Sequence, residues 1–167
     1  RVFNLSVNSC LPSRIKHMSS WAATIDTLIN EKNILFLISA GNISISDARG
    51  FGISHFIENG KNYPDYLNEL YCRIANPAQS SFAITVGSIN HISIDNDEFQ
   101  SLGNHNDISP FSRIGTGIWG MIKPDVVEYG GGLSISKTGN IVSIKNELSP
   151  ELVRSTLHGG SAIGNDI

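Results

Sequence analysis

The run Ile34-Leu35-Phe36-Leu37-Ile38 places five apolar residues in succession and then stops within four positions on the amide Asn42. A short unbroken apolar run is the pattern of a strand covered on both faces. Just upstream, Ser19 or Ser20 is placed to cap a helix in which Trp21, Ile25, Leu28 and Ile29 recur at helical spacing, and Asn33 marks its stop. Further upstream, Val2 to Val7 leans apolar and alternates as a short strand does. Strand, helix and strand in this order predict a βαβ unit with parallel strands and a right-handed crossover. The carboxyl ends of both strands, Ser6 to Asn8 and Ser39 to Asn42, then meet at one edge, where open α/β sheets hold ligands.

Beyond this unit, Ile43 to Asn62 is rich in Gly, Ser and Asn and reads as a long surface excursion. Pro64 is placed as a first helical residue, with Asp65 in the first turn and Tyr66, Leu67, Leu70, Tyr71 and Ile74 forming a short helical stripe. Phe82 to Ile89 reads as another central strand, and Asp95 to Asp107 as polar turn sequence. Val126-Val127 and Ile141 to Ile144 add short strands, and Pro150 to Leu157 a brief helix or turn.

Length and charge exclude several classes of function. At 167 residues the chain is long enough for one core, and a single domain is the expectation. Charged residues make up 16%, below the roughly 25% of soluble proteins. A net charge of −3 gives no footprint for nucleic acid. The apolar runs fall far short of the roughly 20 residues that span a bilayer, so no membrane segment is expected. The opening Arg-Val-Phe-Asn-Leu-Ser has no signal-peptide pattern and starts in strand-like sequence, and the compartment stays open.

Most of the motifs have plain readings. Gly115-Thr116-Gly117-Ile118-Trp119-Gly120 satisfies G-x-G-x-x-G, yet no apolar strand precedes it, and Pro124 follows where a helix would need a donor. A dinucleotide site is therefore not expected. His17, His55, His91, His105 and His158 are scattered, Asp95, Asp97 and Glu98 read as a solvated turn, and no metal is assigned. Cys10 and Cys72 are expected to be free buried or half-buried thiols. Asn42 alone reads as a turn residue whose side chain bonds local backbone.

Five collinear segments change that reading. "FNLSVNS" is similar to the Asn-x-Ser-Leu-Gly strand of the subtilisin-like serine peptidases, and "ILFLISAGN" to the strand that ends in Ala-Gly-Asn. "IANPAQSSFAITVGSIN" resembles their Tyr-Pro-Ala and Val-Ile-Ala-Val-Gly-Ala segment. "SPFSRIG" resembles Ser-Phe-Ser-Ser-x-Gly, and "KPDVVEYGG" resembles Lys-Pro-Asp-Val-x-Ala-Pro-Gly. The resemblance spans residues 3 to 131 and implies an α/β fold, the subtilisin-like three-layer α/β/α arrangement with a mostly parallel sheet, here incomplete.

The resemblance also implies chemistry. Asn42 would donate its side-chain amide to the oxyanion of the tetrahedral intermediate. Ser6, Val7 and Asn8 would pair with the extended substrate backbone. Ser39, Ala40 and Gly41 would wall the pocket for the residue before the scissile bond, leaving room for a bulky side chain. The partner implied is a peptide or protein substrate; no cofactor is expected, and nothing in this chain assigns the calcium that the parent could hold.

The departures are equally specific. Asn8 stands where the family has Gly, and Glu128-Tyr129 where it has Ala-Pro. Neither an Asp-x-Gly strand end, a His-Gly-Thr-His motif nor a Gly-Thr-Ser helix start occurs, and Gly160-Ser161-Ala162 reads as loop. Residues 1–167 are therefore expected to be the central part of a catalytic domain, with a long insertion at 43–73, and to be inactive alone. The alternative is a binding or scaffold pseudopeptidase. Apolar strand edges left open predict self-association.

Overall fold

The computed structural model describes residues 1–138 and, for its backbone, the short strand Ile144–Lys145. The expectations for 141–143, Pro150 to Leu157 and Ser161 lie outside the described residues. In chain order the regular elements are β1 (Val2–Leu5), α1 (Ser20–Lys32), β2 (Leu35–Ser39), α2 (Ile53–Glu58), β3 (Ile84–Ile89), β4 (Phe99–Ser101), β5 (Gly115–Thr116), β6 (Ile122–Lys123), β7 (Val126–Tyr129), β8 (Ser134–Ser136) and β9 (Ile144–Lys145). The chain divides into two compact units, one formed by 1–43, 67–87 and 112–128, the other by 44–66, 88–111 and the residues from 129 on.

The first unit is built on the anticipated strand–helix–strand start. β1 pairs with β2 and β2 with β3, both in parallel, within a sheet ordered β1-β2-β3-β7. Ser19 is the N-cap of α1, its hydroxyl accepting from the Ala22 amide at 3.0 Å, and Asn33 closes the helix in the left-handed conformation. The buried face of α1 is carried by Ala22, Ile25 and Asp26, and Ile25 packs with Ile38, Ala40, Ile74, Ala78 and Ala83. Trp21, expected on that face, is exposed instead, because Ala22 one position on faces the sheet.

Asp26 is the polar member of this core. Its carboxylate accepts from Ser80 Oγ at 2.5 Å and from the Ser81 and Phe82 amides at 3.0 Å each. That network holds residues 80–82 as a turn, so β3 starts at Ile84 rather than at the exposed Phe82. Replacing Asp26 by Ala orphans those donors and is expected to cost roughly 2–3 kcal/mol, read as a lower urea midpoint at unchanged m-value.

Other expectations are corrected in detail. β1 ends at Leu5, so Ser6 and Val7 run on as exposed backbone beyond the last ladder pair. Only Ile38 of β2 is fully buried, and Phe36 is half-buried against the exposed Phe3, ring centroids 5.3 Å apart. Pro64 to Arg73 forms two 3-10 turns, Asp65–Asn68 and Leu70–Cys72, rather than one helix. The break is at Glu69, whose φ −66° and ψ 145° are extended. Cys10 is exposed and Cys72 buried. The glycine-rich decoy folds as the antiparallel β5–β6 hairpin, closed by a 3-10 turn at Ile118–Gly120, and no α-helix starts there.

In the second unit the expected excursion contains α2, whose Ile53, Phe56 and Ile57 are buried. Phe56 stacks on Tyr66 at 5.7 Å, and the Tyr66 hydroxyl donates to the Pro110 carbonyl at 2.6 Å. Six residues give too few turns for a legible period. The polar stretch 95–107 holds β4, which pairs antiparallel with β8, itself paired with β9. No helix among the described residues is long and apolar enough to cross a membrane.

Candidate functional site

The parallel register Leu5↔Ile38 brings the carboxyl ends of β1 and β2 level at one edge of the first unit. Every residue singled out from the sequence lies on the two segments that leave this edge: Ser6, Val7 and Asn8 from β1, and Ser39, Ala40, Gly41 and Asn42 from β2. The two segments are tied side chain to strand end. Asn8 Nδ2 donates to the Ser39 carbonyl at 2.8 Å, and Ser39 Oγ donates back to Asn8 Oδ1 at 3.1 Å. Ala40 is buried with both peptide groups used, its amide on Val86 O and its carbonyl accepting from the Ala75 amide, each at 2.8 Å.

Gly41 makes the turn possible. Its φ is +98°, a value that L side chains rarely adopt, and a Cβ there would sit 2.6 Å from Ala75 Cβ and 3.0 Å from Arg113 Cδ. The chain therefore turns tightly over Ala75 and delivers Asn42 to the surface.

Asn42 is fixed by its backbone and free at its side chain. It forms an antiparallel bridge with Ser112, and its carbonyl accepts from Arg113 Nε at 2.9 Å. The Arg113 amide in turn donates to Gly41 O at 3.0 Å. The Asn42 carboxamide is exposed and makes no hydrogen bond with the described residues. An Asn acting as a turn residue would spend that amide on local backbone. Here the amide is unspent.

Arg113 organises the region around it. It is 1% exposed, and besides Asn42 its guanidinium donates to the carbonyls of Tyr71 at 2.5 Å, Arg73 at 3.0 Å and Cys10 at 3.0 Å. The Tyr71 ring lies 5.2 Å from its Cζ. Burial pulls its pKa below the usual guanidinium range, with Tyr71 and Cys72 opposing that shift. Among the described residues its charge is met by carbonyl dipoles and a ring face rather than by a carboxylate. The sequence reading missed Arg113, which it met only as one letter of "SPFSRIG"; the signal present there was an Arg between Phe111-Ser112 and Ile114, among apolar and small neighbours.

Two other groups are structural. Burial pushes the Cys72 thiol up to about 12, Arg113 opposing and Glu69 adding, so the thiol stays protonated and is no nucleophile. Lys123, buried, donates to Asp125 Oδ2 at 2.7 Å and to Ala83 O at 2.9 Å, while the same carboxylate oxygen accepts from the Thr85 amide at 2.6 Å. The Lys-Pro-Asp segment thus fastens the start of β7 to β3. Among the described residues no group of three or more His, Cys, Asp or Glu side chains could hold a metal ion.

The sequence profile of the subtilase family matches residues 1–161. The chain belongs to the subtilase family. This subtilase is 40% identical over 123 residues to the uncharacterized protein y4bN of Sinorhizobium fredii (strain NBRC 101917 / NGR234), a stretch that covers 70% of the chain and 27% of y4bN. The match thus spans about a quarter of that relative's length. The subtilase assignment accounts for the order of the five motifs and for the parallel sheet on which they sit.

Proposed function

We propose that the full-length protein is a serine endopeptidase in which this segment supplies the substrate-binding edge and the oxyanion donor. Hydrolysis starts when a serine hydroxyl attacks a peptide carbonyl, whose oxygen takes up negative charge as the tetrahedral intermediate forms. A donor fixed in advance stabilises that charge without reorganising. Asn42 Nδ2 is that donor. The observation that carries this reading is the pairing, at one residue, of an exposed and unspent carboxamide with a backbone held by Ser112 and Arg113.

The peptide or protein substrate lies extended along Ser6, Val7 and Asn8 as an added strand. Ser39, Ala40 and Gly41 stand beside the residue that precedes the scissile bond. The Asp, His and Ser of the triad come, in that order, from segments outside this chain. No cofactor takes part in the step.

The 167-residue chain alone is therefore expected to cleave nothing, whereas the full-length protein reacts with a serine-directed fluorophosphonate and hydrolyses an unstructured protein. A full-length protein that does neither, or a coding sequence without His-Gly-Thr-His upstream and Gly-Thr-Ser downstream, would leave a peptide-binding domain and defeat the peptidase reading.

A further inference from the structure

Resting on the peptidase reading, we propose that Asn8 closes the pocket for the residue before the scissile bond, so that the enzyme cuts after glycine, alanine or serine and rejects aromatic and long aliphatic side chains. The position of that pocket is the one that the subtilase resemblance implies. A peptide laid along Ser6 to Asn8 with its attacked carbonyl at Asn42 places the side chain of the same residue between the segment 6–8 and the segment 39–41. That gap is occupied by the Asn8 carboxamide. It reaches Ser39 through two reciprocal hydrogen bonds, of 2.8 Å and 3.1 Å, and its Oδ1 stands 3.5 Å from where a Cβ on Gly41 would be.

The wall behind is equally full. Ala75 Cβ lies 2.6 Å and Arg113 Cδ 3.0 Å from the same point over Gly41, so a large side chain finds no depth beyond the strand end. Entry of a ring or a branched chain requires Asn8 to leave. It would strip the partner from the Ser39 carbonyl and hydroxyl and bring no polar atom in exchange. A hydrogen, a methyl or a hydroxymethyl fits above the carboxamide without displacing it. The small residues Ser39, Ala40 and Gly41, read from sequence as room for a bulky group, therefore do not make a deep pocket while Asn8 lies across them.

The test compares kcat/KM of the full-length protein on two peptides that differ only in alanine or phenylalanine before the scissile bond. Wild type is expected to favour alanine by about 10- to 100-fold. Asn8→Gly is expected to shift that ratio toward phenylalanine by about 10-fold or more, and Ser39→Ala, which removes one of the two ties, in the same direction by less. The ratio is internal to each protein, so a variant that folds in lower yield still reports it. A wild type that prefers phenylalanine, or a ratio unmoved by Asn8→Gly in a protein that still reacts with the fluorophosphonate, overturns the pocket proposal and leaves the peptidase reading standing. Absence of both labelling and cleavage in the wild type overturns the two together.

Discussion

Replacing Asn42 by leucine in the full-length protein is expected to lower kcat by about 10²- to 10³-fold while KM moves by no more than about threefold. The size of the loss is borrowed from the corresponding donor of a subtilisin. What belongs to this chain is the reason for the split. The carboxamide makes no hydrogen bond with the described residues, so under the proposed mechanism its removal takes away only the bond made as the oxyanion forms. For the same reason folding stability is expected to hold within roughly 0.5 kcal/mol. Asn42→Asp, which presents acceptors to a developing negative charge, should lose at least as much. Steady-state kinetics beside urea unfolding decides the matter, and a kcat loss below about fivefold would remove Asn42 from the mechanism.

The second large effect falls on stability. Arg113→Met is expected to destabilise the protein by about 3 kcal/mol, because four backbone carbonyls, two of them on the half-buried Tyr71 and Arg73, lose their donor in one step. Arg113→Lys should recover less than half of that. An ammonium is a compact point charge and cannot spread along the fork that reaches Cys10, Tyr71, Arg73 and Asn42 together. Because one arm of that fork holds the Asn42 carbonyl, the folded fraction of either variant should also show a reduced kcat. Urea midpoints give the first quantity and activity per active site the second; a cost under about 1 kcal/mol would mean that the carbonyls find other partners.

The parts legible in the sequence were those with local causes. A helix that carries its own cap at Ser19 and its own stop at Asn33 announces both ends, and the apolar run of β2 announces a strand. Elements that depend on distant partners were not legible. α2 has six residues, β4 has three and exists through pairing with β8, and the start of β3 is set by a carboxylate on α1. The site divides the same way. Its strand ends could be read in order, whereas the Asn8–Ser39 tie crosses 31 residues and the Arg113 contacts with Asn42 and Cys10 cross 71 and 103. No window along the sequence contains both partners of such contacts.

Arg113 also sets a clock on synthesis. It is made 71 residues after Asn42, an interval of about 4 to 14 s at ribosomal rates of about 5 to 20 residues per second. Throughout that interval the end of β2 has emerged in sequence without the guanidinium that fixes its last carbonyl. The nascent chain therefore carries an amide that is present but not yet aimed. The end of β2 therefore takes its final form only after the segment around residue 113 has been made.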